Sequence, residues 1–120
     1  MLKNILLVGI GGGLGSIFRY FIGLMITNKH FPYATITVNV VGSFFIGVIM
    51  AILAKQTHNV EHWYLIITTG FLGGFTTFSA FSWNTFQLMQ QQQYAASFLY
   101  IGLTFFLTLI AVSIGFFIFK

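Results

Sequence analysis

The chain has 120 residues, 58% hydrophobic and only 5% charged, with a net charge of +4 and a mean hydropathy of +0.93. A soluble domain carries about 25% charged residues, so this composition excludes a water-facing surface and indicates an integral membrane protein. There is no cysteine and no cluster of basic residues, which excludes thiol chemistry, disulfides, Cys-based metal sites and a nucleic-acid interface.

Four apolar segments follow, each near the roughly 20 residues needed to cross a bilayer. The first covers about residues 4–27, and Asn28-Lys29-His30-Phe31-Pro32 is the turn after it. Lys3 ahead of an apolar run resembles a signal peptide. No small-x-small cleavage site closes the run, however, and it continues to Arg19, so it is read as a retained span. Gly9 with Gly13, and Gly11 with Gly15, are small-xxx-small pairs that allow close helix approach. No frame through these glycines fits a dinucleotide or phosphate loop. Arg19 is a charge within a span, with two readings: an electrostatic role at a pore mouth, or a side chain snorkelling to the nearby interface.

The second segment covers about residues 34–54 and ends at Lys55-Gln56-Thr57-His58-Asn59. Asn39 puts a strong amide in hydrocarbon. It either bonds another helix or turns its N–H donors to an anion path. Gly42, Ser43 and Gly47 give this helix a smooth packing face.

The third segment, about residues 62–89, holds the stretch around which the chain is organised: Gly70-Phe71-Leu72-Gly73-Gly74-Phe75-Thr76-Thr77-Phe78-Ser79-Ala80-Phe81-Ser82. Its glycines weaken the helix, and its threonine hydroxyls compete for backbone partners. The helix is expected to break between residues 73 and 77, in mid-membrane. Lipid cannot satisfy freed backbone groups, so such a break must be buried, line water or hold an ion. Freed carbonyls suit a hard cation such as Na⁺. Beyond the break, Phe78 and Phe81 share one helix face. Their positive ring edges can line an anion path without trapping the ion, and Ser79 and Ser82 add hydroxyls.

Gln90-Gln91-Gln92-Gln93 is a short polar connection, and the fourth segment covers about residues 94–119. Tyr100, Thr104 and Thr108, at i, i+4 and i+8, form one polar stripe on it. They read either as back-bonded to their own helix or as the wall of a narrow wet path. One transmembrane domain accounts for residues 1–120. With an even number of spans, Lys3, Lys55 and Lys120 fall on one side, and Lys29 on the other with Arg19 leaning towards it. This bias is weak and allows insertion in both orientations, hence an antiparallel dimer.

Three motifs then carry a resemblance over essentially the whole length: Gly11-Gly12-Gly13-Leu14-Gly15-Ser16-Ile17-Phe18-Arg19-Tyr20, Thr35-Ile36-Thr37-Val38-Asn39-Val40-Val41-Gly42, and Gly70 through Ser82. In this order they resemble the Fluc fluoride channels, small bacterial membrane proteins. The resemblance implies an all-α, dual-topology antiparallel homodimer in the cell membrane. It implies two pores through which fluoride leaves the cytoplasm passively, giving fluoride resistance, and a structural Na⁺ at the dimer centre. Carried over, Gly73 and Thr76 are the Na⁺ ligands through backbone carbonyls. Phe78 and Phe81 are the fluoride-facing rings and Asn39 the pore amide, while Tyr100, Thr104 and Thr108 are the polar track. The family often has Glu two residues after the Ser that follows the second pore Phe; here Asn84 stands there.

The main alternative is a proton-coupled exporter of the small multidrug type, but that chemistry needs a carboxylate within the membrane. The sole acidic residue, Glu61, sits at a span boundary. A haem-carrying subunit would need His inside the spans, whereas His30, His58 and His62 lie at connections. No acid–base pair or nucleophile constellation points to an enzyme.

Overall fold

The computed structural model describes residues 1–28, 30–56 and 60–120. All regular structure among the described residues is helical. In chain order it comprises α1 (Leu2–Met25), α2 (Tyr33–Ala54), α3 (Glu61–Trp63), a π-helical stretch (Tyr64–Leu72), α4 (Gly73–Phe75), α5 (Phe78–Gln90) and α6 (Tyr94–Phe119). The pieces from α3 to α5 make up one span, Glu61–Gln90, so four helical spans are long and apolar enough to cross a membrane. This is the expected all-helical, four-span architecture. The turn expected at 28–32 and the connection expected at 55–59 include Lys29, Thr57, His58 and Asn59, which lie outside the described residues.

Local chemistry sets the connections. After α1, the Asn28 side chain accepts hydrogen bonds from the His30 and Phe31 backbone N–H groups at 2.8 and 3.2 Å. This is an Asx-type turn, and Pro32 then leads into α2. Between α5 and α6 the chain reverses within residues 91–93, with Gln92 at φ 59°.

Two helix pairs carry the packing: α2 lies along α6, and α1 lies along the π-helical stretch and α4. Both rest on direct backbone approach. A side chain at Gly47 would strike the Val112 carbonyl, and one at Gly115 would strike the Phe44 carbonyl. On the other pair, Gly11 faces the Ile66 carbonyl and Gly15 the Phe71 carbonyl. The expectation that Gly9 and Gly13 also serve close approach is not met, since both face open space within the chain. They stand two residues from Gly11 and Gly15, about 200° around the helix, and so point away from the third span.

The side chains turned inward are few. Among the described residues, Tyr100, Val38 and Ser97 are the largest that are fully buried, whereas Phe105, Phe106, Phe117 and many aliphatic residues are exposed. An apolar exterior around a small, partly polar interior is what hydrocarbon solvent selects.

Candidate functional site

The site forms where the third span leaves helical geometry. Thr76 (φ −84°, ψ 158°) and Thr77 (φ −154°, ψ 121°) are extended. Gly73 and Gly74 remain helical, so the change of conformation falls on the threonines rather than across residues 73–77. The reason is packing. A side chain at Gly74 would strike the Gly12 carbonyl, so this glycine serves α1 contact, not backbone freedom.

The interruption is satisfied from outside the span. Asn39 on α2 accepts the Thr77 N–H at 2.8 Å and donates its amide N–H to the Thr77 carbonyl at 3.1 Å. The Thr77 hydroxyl then caps α5, accepting the Ala80 N–H at 3.1 Å, and lies 3.0 Å from the Ser79 hydroxyl. In a continuous helix the Thr77 N–H would close on the Gly73 carbonyl, and the Ala80 N–H on the Thr76 carbonyl. Both donors are diverted, so those two carbonyls lose their helical partners.

A cavity of about 450 Å³ opens beside the interruption, lined by residues that include Asn39, Thr76, Phe78, Phe81, Thr104 and Thr108. Five of the residues singled out as a pore therefore share one cavity: the amide, both rings and two of the three stripe residues. The Phe78 and Phe81 rings stand 5.4 Å apart. Phe81 is half-buried and packs 5.2 Å from the Tyr100 ring. Both rings line this chain's own cavity, where α5 packs on α6 through Phe81 and Tyr100. Phe78 is 77% exposed and extends beyond the chain's own packing.

Other candidates lie apart. Tyr100 is fully buried and not on the cavity wall. Its hydroxyl accepts from the Asn84 amide at 3.3 Å, and Asn84 also donates to the Thr35 hydroxyl at 2.8 Å. Ser79 is exposed and contributes only its contact with Thr77. Thr108 donates its hydroxyl proton to the Thr104 carbonyl at 2.7 Å, while the Thr104 hydroxyl is buried and unpartnered. Arg19 borders a separate pocket of about 130 Å³ together with Thr35, Val38, Thr77 and Ala80. Gly73 is exposed on the chain's surface.

Sequence reasoning missed Thr77 as the pivot of the site and Ser43 as part of the cavity wall. Ser43 stands one turn after Asn39, and that spacing was the available signal. The Asn84–Thr35–Tyr100 node had no signal in spacing, because its members come from three spans.

Comparison with known proteins identifies a family. The family described as "CrcB-like protein, Camphor Resistance (CrcB)" matches residues 6–116. A protein of Flavobacterium psychrophilum named "Fluoride-specific ion channel FluC" is 43% identical, covering 99% of this chain and 98% of its own. One of the same name from Azobacteroides pseudotrichonymphae is 42% identical, covering 97% and 95%. "Fluoride-specific ion channel FluC 1" of Listeria innocua is 41% identical, covering 96% of each chain. With nearly the whole length matched, the chain belongs to the CrcB-like family.

Proposed function

We propose that this protein is a fluoride channel of the bacterial cell membrane, which lets fluoride leave the cytoplasm down its gradient. The observation that carries the reading is the neutral cavity joining the Asn39, Phe78, Phe81 and Thr104 side chains, in a chain whose relatives are named fluoride-specific channels. Fluoride is small and tightly hydrated, so a path must replace its water with donors while holding it weakly enough for release. Amide N–H groups, ring edges and hydroxyls do this without a fixed cation. Asn39 spends one N–H on Thr77 and keeps the other for the anion. A proton-coupled exporter is disfavoured, because the sole acidic residue, Glu61, is the first residue of the third span rather than one in its interior.

The same reading includes an antiparallel homodimer with the third span broken in mid-membrane and a structural Na⁺ between the copies. Support comes from the weak charge bias between the two sides, the outward Phe78, and the two diverted carbonyls. The residues fit the ion: the Gly73 and Thr76 carbonyls are hard oxygen donors without helical partners, and Gly73 is open to a second copy. Bound there, Na⁺ would neutralise partial negative charge where two interrupted spans meet.

The deciding experiment is efflux of fluoride and of chloride, measured side by side from liposomes containing the purified protein. Rapid fluoride efflux with negligible chloride efflux is expected. Equal efflux of both halides, or none of either, overturns the reading.

A further inference from the structure

Helical hydroxyls in this chain commonly bond back to the carbonyl one turn earlier. Thr76 bonds Leu72, Thr85 bonds Phe81, Thr108 bonds Thr104 and Ser113 bonds Leu109. That partner is open to any helical Ser or Thr. Among the described residues, three buried hydroxyls take no partner at all: those of Thr68, Ser97 and Thr104. Thr68 lies in the π-helical stretch, where the wider turn carries the usual carbonyl out of register. Ser97 and Thr104 lie in regular α-helix, so geometry does not explain them.

Their positions do. Ser97 precedes Tyr100 by three residues and Thr104 follows it by four, all on one helix face. Ser97 and Tyr100 are both 0% exposed. Asn84, which donates to the Tyr100 hydroxyl, borders a polar pocket of about 190 Å³ shared with Asn28, His30, Gln87 and Gln91. Thr104 borders the larger cavity with Asn39. Ser97 lies one turn into α6, directly after the connection that follows Gln91. The hydroxyl stripe thus begins at the end of α6 nearest the polar pocket and runs towards the cavity.

A buried hydroxyl without a partner destabilises the protein, and here the usual remedy is close at hand and unused. From this we infer that Ser97 is a further anion-binding residue, offering its hydroxyl to fluoride between the polar pocket and Tyr100. Sequence spacing began the stripe at Tyr100; Ser97 extends it by one turn. The inference rests on the fluoride-channel reading.

The test is Ser97→Ala, which removes only the hydroxyl. Fluoride efflux from liposomes should fall roughly tenfold, the loss of a hydrogen bond to a charged species. Thermal stability in detergent should hold or rise, because an unpartnered buried group has gone. Ser97→Cys, with a weaker donor of similar size, should fall between. Thr68→Val removes the π-helical hydroxyl and should leave efflux unchanged. Efflux of Ser97→Ala equal to wild type overturns the inference alone, as does an equal loss in Thr68→Val. Failure of the wild-type protein to carry fluoride overturns the function reading first.

Discussion

The side chain of Asn39 replaces, for Thr77, both of the partners that a continuous helix would have supplied. It takes the Thr77 N–H at 2.8 Å and gives a proton to the Thr77 carbonyl at 3.1 Å. One amide can do both because it carries an acceptor and a donor side by side. No other side chain of that length matches it: aspartate lacks the donor and leucine lacks both groups. The residue read as a pore amide thus also closes the interruption that shapes the cavity.

Asn39→Asp should therefore fail twice. It sets an acceptor against the Thr77 carbonyl and a negative charge against the anion path. Fluoride efflux should vanish, and the midpoint of thermal unfolding in detergent should drop. Asn39→Leu should cost about 1–3 kcal/mol for each Thr77 group left unpaired. If both variants melt and conduct like wild type, the Asn39–Thr77 pairing does not hold the site.

The glycine contacts separate positions that look alike in sequence. Gly15→Ala places a methyl group against the Phe71 carbonyl, and Gly115→Ala places one against the Phe44 carbonyl. Backbone cannot yield as a flexible side chain would, so each should cost about 1–3 kcal/mol or more. Gly9→Ala and Gly13→Ala meet open space within the chain and should be neutral, or gain up to about 1 kcal/mol from helix propensity. Expression level and gel-filtration profile read the difference. Equal tolerance at Gly13 and Gly15 would contradict this packing.

Much of this was legible in the residues, and what was not has physical causes. Four spans follow from hydropathy and length alone, since a bilayer admits few alternatives. The cavity residues Asn39, Phe78, Phe81, Thr104 and Thr108 stood out as polar or ring-bearing side chains at helical spacing. Legibility failed where the outcome depends on which groups meet across spans. Gly73 and Gly74 look like helix breakers, yet they stay helical because α1 needs Gly74 bare. Spacing left both back-bonding and a free hydroxyl open for the stripe; Thr108 bonds its own helix, while Thr104, one turn away, does not. The π-helical register of Tyr64–Leu72 left no periodic trace that nine apolar and small residues could show.

The two rings should respond differently to the same substitution. Phe81→Ile loses the contact with Tyr100 at 5.2 Å, worth about 0.5–1.5 kcal/mol, so it should lower both stability and fluoride efflux. Phe78 is largely exposed, so Phe78→Ile should leave the melting temperature unchanged while cutting efflux. Efflux and melting curves on the same preparations make the comparison. Wild-type efflux in both variants would reduce the rings to packing.

Orientation is testable in whole cells. Lys55 and Gln92 follow the second and third spans, so a single orientation puts them on opposite sides of the membrane. If the weak charge bias admits both orientations, a cysteine at either position should react with an impermeant maleimide from the outside, each in only part of the population. Labelling of one position alone, to completion, would rule out an antiparallel pair.

Gly73 tests whether a second copy meets the interruption. Within the chain a methyl group there would stand 3.7 Å from the Thr68 carbonyl, an ordinary contact, and the residue is exposed. Gly73→Ala and Gly73→Val should then cost the single chain nothing in helix propensity, since both residues rank above glycine. In the proposed dimer, the same position faces its counterpart around a shared Na⁺, where added bulk blocks approach of the two carbonyls. Gly73→Val should therefore shift the protein from dimer to monomer on gel filtration and abolish fluoride efflux, with its helical circular dichroism intact. Thr76→Ser should be mild in both assays, since the ligand there is the backbone carbonyl. Replacing Na⁺ with N-methylglucamine during purification should weaken the wild-type dimer in the same direction. A Gly73→Val protein that stays dimeric and conducts would place the dimer contact, and the ion, somewhere other than the carbonyls freed beside Thr77.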